Sequence, residues 1–362
     1  MLLEVNSKQL HKALKIAAKI ASKKTHLGST TSVLLSTVSG KLAVLATNLD
    51  VTFSADVECS VSKEGSVLVD AAKLTALVGT YRDMPLVLKS DTKGGLSIVY
   101  NKSTHKLVGT PVSNFPNVEV SANTPFSIPT KDFAGLLKRT AYLAIDMPDR
   151  PHLSGVNLVI DKNCLRLTAT DTLRISSVAV KADMDFLVNL NTTIPRTMLA
   201  ELVSILSEAE NMSFGVTDRQ CVFKCGTFGL SSTLNAQPFS DLRSMFVDSV
   251  AISINRALLL ETLVRTSILS DKLALINEFV FSDNSLTVKT DGSDGSSDEV
   301  IPVDGNDSFS VHFRIKQIIE FLSSIETESI KLMFNNEKTR FTLMEPSDKY
   351  DTRYLISPVR IS

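Results

Sequence analysis

The chain has no tryptophan, and only four cysteines (Cys59, Cys164, Cys221 and Cys225) among its 362 residues. Thiols this few, scattered over apparent strands, argue against a disulfide scaffold and fit a reduced, cytoplasmic protein. Cys221 and Cys225 share a strand face, but no second pair or histidine completes a zinc set, so both read as small buried apolar residues. No run approaches the ~20 apolar residues of a membrane span. The segment Met1–Lys8, which carries Glu4, has no apolar core of signal-peptide length.

An excess of one charge is missing as well. Lys plus Arg number 38 and Asp plus Glu 39, so only the distribution of charge can point towards or away from nucleic acid. There is no Gly-x-x-x-x-Gly-Lys-Ser/Thr loop, no Gly-x-Gly-x-x-Gly after a strand and no His-Glu-x-x-His. The five histidines (His11, His26, His105, His152 and His312) make no recognisable catalytic or metal spacing. The acidic stretch Thr290–Glu299 misses the EF-hand pattern and reads as an exposed loop. No acid–base or nucleophile constellation presents itself, so neither catalysis nor a cofactor nor a metal is expected.

What is present is a repeat. Gly40-Lys-Leu-Ala-Val-Leu-Ala-Thr-Asn-Leu-Asp50 returns as Asn163-Cys-Leu-Arg-Leu-Thr-Ala-Thr-Asp171, and more faintly as Asn284-Ser-Leu-Thr-Val-Lys-Thr-Asp291. Leu42, Leu165 and Leu286 hold the same place, 123 and then 121 residues apart. Each copy alternates apolar and polar residues, as a half-buried strand does, and ends in a Thr-Asp or Thr-x-Asp turn signal. A step of this size marks repeated domains and not a solenoid.

Each copy opens with an amphipathic helix, in which Leu10, Phe133 and Leu259 correspond, as do Leu14, Leu137 and Leu263. A second helix follows midway, over Asp70–Val78, Pro195–Val203 and Arg314–Leu322, with short β-type runs between. Related segments, Asn114–Glu119 and Pro238–Arg243, close the first two copies. The expected fold is therefore α+β, with three domains over 1–124, 125–248 and 249–362, each of two similar helix-plus-strands halves.

The first helix carries the strongest charge feature. Lys8, Lys12, Lys15, Lys19 and Lys23 step by four, three, four and four, with no acid between Ser7 and Lys24. At ~100° per residue these ammonium groups fall in an arc of about 80°. A merely solvated face usually mixes Glu with Lys, because like charges one turn apart oppose the helix by a few tenths of a kcal/mol. An unmixed stripe suits phosphate, and lysine holds phosphates without reading bases.

Together with the repeat, the strings Arg150-Pro-His-Leu-Ser-Gly-Val-Asn157, Leu165–Asp171 with Arg174, Ile194-Pro-Arg196 and Tyr354-Leu-Ile-Ser-Pro-Val-Arg-Ile361 resemble the bacterial sliding clamp family, the β subunit of DNA polymerase III. The resemblance covers essentially the whole chain. It implies a head-to-tail homodimer forming a six-domain ring, helices inside and sheets outside, threaded by double-stranded DNA.

By the same resemblance, Lys24, Lys73, Arg150 and Arg196 match DNA-facing positions. Leu153, Thr170, Leu173, Arg174, Ile175 and Met245, with Leu355, Ile356, Pro358, Val359 and Arg360, match a cleft between the second and third copies. That cleft receives short, partly apolar motifs from polymerases, the clamp loader and repair proteins. Apolar walls with one or two arginines at the rim suit a motif with apolar anchors and an acid. Leu107, Ile268 and Leu269 match the subunit interface. Departures from the family pattern fall at Pro151 and His152, in the DNA-facing loop of Arg150, and at Thr172, Leu173, Arg314, Gln317, Ser357 and the additional Ser362, which imply an altered partner preference. A β-rich adaptor that binds peptides without encircling DNA is the alternative.

Overall fold

The computed structural model describes residues 1–21, 28–118, 124, 126–161, 164–181, 190–217, 219–234, 237–247, 249–270, 275–293 and 295–360. Its element order repeats one phrase six times, a strand, a helix, then three strands, with one further two-residue strand, Gly109–Thr110, after the second phrase. Two such phrases make a copy, so the two halves expected of each copy are both βαβββ units.

The helices among the described residues are α1 (Ser7–Ala21), α2 (Ala71–Val78), α3 (Thr130–Thr140), α4 (Arg196–Ile205), α5 (Arg256–Leu269) and α6 (Ile315–Ser324). Their starts are local chemistry. Asn6, Asp70 and Asn255 each place a side-chain oxygen on a backbone N–H of the first turn, at 2.8–3.0 Å, satisfying donors that the helix itself leaves unpaired.

The thrice-repeated motif forms the strands Lys41–Thr47, Cys164–Thr170 and Ser285–Gly292. In the first two copies it ends in the same turn. The Thr47 hydroxyl donates to the Val51 carbonyl and Thr170 to that of Arg174, while Asn48 and Asp171 each accept two backbone N–H groups. Leu49 (φ 80°) and Thr172 (φ 74°) sit at the equivalent left-handed position. The third copy differs, because its strand runs through Asp291 into a hairpin closing at Gly292 and Gly295.

Two compact units result, and they divide the middle copy between them. Unit 1 contains residues 1–133 and 197–236, and unit 2 contains 134–196 and 237–362. In unit 1 the strand Val51–Lys63 pairs antiparallel with Phe228–Thr233, joining the first copy to the second half of the middle one. In unit 2 Arg174–Lys181 pairs antiparallel with Tyr350–Ile356, joining the first half of the middle copy to the third. Each unit thus holds one extended antiparallel sheet, of 13 and 12 strands respectively.

The apolar face of each helix packs on its sheet. Leu10, Leu14, Ala17 and Ile20 of α1 are fully buried, as are Phe133 of α3 and Phe321 and Leu322 of α6. Fully burying side chains of this size contributes about 1.5–3 kcal/mol each. In unit 1, α1 and α2 approach closely because the residue ending α2 is Gly79, where a Cβ would lie 2.7 Å from His11 Nε2. The Thr75 hydroxyl donates across that contact to the Leu14 carbonyl at 3.1 Å.

Candidate functional site

Three surfaces gather the residues singled out by sequence. The first lies in unit 1. Lys8, Lys12, Lys15 and Lys19 are exposed on α1, opposite its buried Leu, Ile and Ala face, and Lys73 is exposed in the first turn of the neighbouring α2. Lys23 and Lys24 lie outside the described residues.

The stripe is less uniform than its local sequence suggests. Glu208, just beyond α4 and only 9% exposed, pairs with Lys12 at 2.5 Å. Lys8 and Lys15 make no ion pair among the described residues. His11 adds no charge at neutral pH, since burial and then the neighbouring Lys15 push its pKa below the usual imidazole value. Arg150 and Arg196 belong to unit 2. Arg150 is exposed, whereas Arg196 is fastened to its own surroundings, donating to the Ala144 carbonyl at 3.0 Å and to Asp146 at 2.8 Å.

The second surface lies wholly in unit 2, where Arg174–Lys181 meets Tyr350–Ile356. Register pairs Arg174 with Ile356 and Ile175 with Leu355, so the turn after Thr170 and the C-terminal segment are brought side by side. Leu173 (56%) and Met245 (41%) expose large apolar side chains there. Pro358 and Val359 are half-buried and Arg360 is exposed. Thr170, Ile175, Leu355 and Ile356 are buried within the sheet and support this surface from beneath. Leu153 is buried in a cluster with Met147, Phe239 and Leu242.

Sequence reasoning did not single out Phe239 or Leu242, although the correspondence of Asn114–Glu119 with Pro238–Arg243 marked their segment. Beside them opens a cleft of about 330 Å³, lined by residues including Asn157, Arg166, Phe239 and Arg243. There Arg243 holds the Asp241 carboxyl down to about 2 through a paired hydrogen bond.

Arg174, which the family resemblance matches to the cleft, has its guanidinium engaged by neighbouring groups. Its Nε donates to Asp171 Oδ2 at 2.7 Å, and its Nη1 donates to Glu320 Oε2 at 2.6 Å and to the Tyr354 hydroxyl at 3.1 Å. The guanidinium is held charged by these partners, which overcome its desolvation.

The third surface is a pair of open strand edges. Among the described residues, the edge strand Ser103–Leu107 of unit 1 is bonded on one side only, to Leu96–Tyr100, with Leu107 half-buried and Val108 94% exposed. In unit 2 the strand Gly295–Asp304 bonds Ser285–Gly292 along its length, but meets Val250–Asn255 only through Val303 and Asp304. Its open stretch lies beside α5, where Ile268 is 72% exposed and Leu269 half-buried. Val264 and Val300 extend the apolar strip. Arg265 donates three hydrogen bonds to Glu299, fixing the helix to the strand.

Among the described residues no group of three or more His, Cys, Asp or Glu could hold a metal ion, and no helix is long and apolar enough to cross a membrane.

Six βαβββ phrases, paired into three copies whose sheets run from one copy into the next, define a clamp-type fold. Models of the DNA polymerase III beta subunit match nearly the whole chain: the N-terminal domain over residues 1–119, the central domain over 127–241 and the C-terminal domain over 248–360. The chain belongs to the DNA polymerase III beta subunit family. A beta sliding clamp of Halalkalibacterium halodurans is 27% identical over 83% of this chain and 82% of its own. That of Pseudomonas putida is 22% identical over 99% of both. The crystal structure of the DNA polymerase III subunit beta from Pseudomonas aeruginosa covers both chains completely, with a TM-score of 0.92 at 22% identity.

Proposed function

We propose that this chain is a DNA sliding clamp, a processivity factor that performs no catalysis itself. Two copies join head to tail and encircle duplex DNA. The ring tethers a replicative polymerase, and other DNA-processing proteins that carry short linear motifs, through the groove at the junction of the second and third copies. Its three domains meet near residues 124 and 248, and it works in the cytoplasm. Family membership across all three copies carries this reading.

The chemistry of α1 supports it. Ammonium groups on flexible stems attract phosphates wherever they lie along the duplex, so contact is independent of sequence and no register is preferred. A closed ring is retained by topology, so those contacts need only be weak, and weak contacts permit sliding. Near-zero net charge is compatible with this, because the basic residues need only line the opening.

Loading on nicked circular plasmid tests the central claim. Protein isolated with the circle should be released when the plasmid is cut once, while a non-encircling peptide adaptor would partition identically before and after cutting. Retention unchanged by linearisation would sink the ring.

The stripe has its own expected result. Changing Lys8 and Lys15 together to Glu should leave the fold intact, since both are exposed. It should reduce the slope of log affinity for duplex DNA against log salt by roughly 2, at ~0.9 for each phosphate that is no longer neutralised. These two positions are preferable to Lys12, where a new carboxylate would face Glu208. Equal slopes for variant and wild type, measured by fluorescence anisotropy, would remove α1 from the DNA path.

A further inference from the structure

We propose that the groove reads the charge of its partner motif at Arg314 and not at Arg174, with Glu320 as the residue that withdraws Arg174 from recognition. This rests on the groove's being the partner site and names the partner's chemistry there: an apolar motif whose acid lies towards the start of α6.

Arg174 is only 12% exposed and is shared by two carboxylates, those of Asp171 and Glu320, together with the Tyr354 hydroxyl. One guanidinium between two carboxylates leaves that corner with a net negative charge. A third carboxylate, brought by a peptide, would be repelled unless it displaced one of them. Displacement is opposed on both sides. Asp171 also accepts the backbone N–H groups of Leu173 and Arg174, and Tyr354 donates onward to the Gln317 carbonyl at 3.0 Å. Arg174 is thus an internal tie between the turn after Thr170 and α6.

Arg314 differs on every count. It is exposed at the start of α6, and among the described residues its side chain makes neither hydrogen bond nor ion pair. The C-terminal segment is fastened alongside, since Val359 donates its N–H to the His312 carbonyl at 2.8 Å and bridges that residue antiparallel. Arg314 follows His312 by two residues, so this bridge sets it close to the half-buried Pro358 and Val359. Arg314 therefore borders the apolar strip of Pro358 and Val359. Glu320 lies six residues further along α6, about 9 Å at 1.5 Å per residue, so it does not neutralise Arg314 directly. Lys316, also exposed, adds charge of the same sign.

The test uses the full chain and two synthetic hexapeptides, acetylated and amidated. Each has three leucines, with one Asp in the first and Asn in its place in the second. Isothermal titration at low salt should show wild type binding the Asp peptide about tenfold more tightly, the worth of one charge-assisted hydrogen bond. In Arg314→Gln that preference should vanish while the Asn peptide keeps its affinity. In Glu320→Gln the Asp peptide should gain severalfold, because the corner around Arg174 then loses its net negative charge and no longer repels a carboxylate. A preference that survives Arg314→Gln, or an Asp peptide indifferent to Glu320→Gln, overturns the proposal. Failure of wild type to bind either peptide would instead overturn the assignment of the groove as the partner site.

Discussion

Replacing Ile268 by aspartate is expected to hold the chain at its monomer mass of 39.4 kDa at micromolar concentrations where the proposed wild-type dimer should sediment at twice that value. Ile268 is 72% exposed, with Val264 one turn before it and Val300 on the adjoining strand. The other candidate edge offers Leu107 and the 94% exposed Val108. Edge strands left open with apolar side chains invite uncontrolled pairing, and closing them on a second copy satisfies both backbone and side chains. Fully burying an isoleucine contributes about 1.5–3 kcal/mol, and an aspartate buried there without a partner adds several more against association. A closed head-to-tail dimer contains the contact twice. The combined penalty is therefore on the order of 6–10 kcal/mol, or roughly 10⁴–10⁷-fold in the dimer constant. The monomer should keep its circular dichroism and melting temperature, because the side chain is exposed before assembly. An unaltered sedimentation equilibrium would show that the two edges are not the subunit contact.

How far such surfaces could be read from sequence depends on how local their causes are. Alternation around Leu42, Leu165 and Leu286, and the capping side chains of Asp70 and Asn255, act within a few residues, so copies and helix starts were legible. The division of the middle copy was not. It arises from pairing Val51–Lys63 with Phe228–Thr233 and Arg174–Lys181 with Tyr350–Ile356, contacts between distant segments that no periodic pattern announces. The same non-locality hid two electrostatic facts. The acid opposite Lys12 comes from Glu208, and the second carboxylate on Arg174 comes from Glu320, 146 residues away.

Hydropathy could not tell buried Leu355 and Ile356 from exposed Val108, Val264 and Val300 either, since strand and helix edges carry the same residue types as cores. Thr172 shows the converse. It occupies a φ of 74°, where a β-branched residue is disfavoured and glycine is not. Its N–H is held by the Thr170 hydroxyl at 3.0 Å, so the turn keeps its form with threonine at this position.

The same junction carries the largest expected loss of stability. Glu345→Ala should destabilise unit 2 by about 3–5 kcal/mol, the usual consequence of leaving a buried charge without its partner. The carboxylate is 1% exposed and accepts from Arg139 Nε at 2.7 Å, Arg139 Nη2 at 2.6 Å and the Thr352 hydroxyl at 2.6 Å. Arg139 in turn lies 4.1 Å from the centre of the Tyr350 ring. That ring fits against α3 because residue 135 is glycine, where a Cβ would come within 2.2 Å of the Tyr350 hydroxyl.

The tie fastens both walls of the proposed groove. The carbonyl of Arg139 accepts the Ser176 hydroxyl at 2.6 Å on one wall strand, and Glu345 lies on the strand bonded to the other. Losing it should therefore lower peptide affinity as well as the melting temperature, the latter by roughly 10 °C for a unit of this size. Replacing both partners, Arg139→Met with Glu345→Leu, should recover most of the stability, because a well-packed apolar pair needs no compensating charge. Calorimetry on the three proteins separates the possibilities. If Glu345→Ala melts within about 1 kcal/mol of wild type, the ordinary range for a point substitution, the pair is not what holds the second and third copies together.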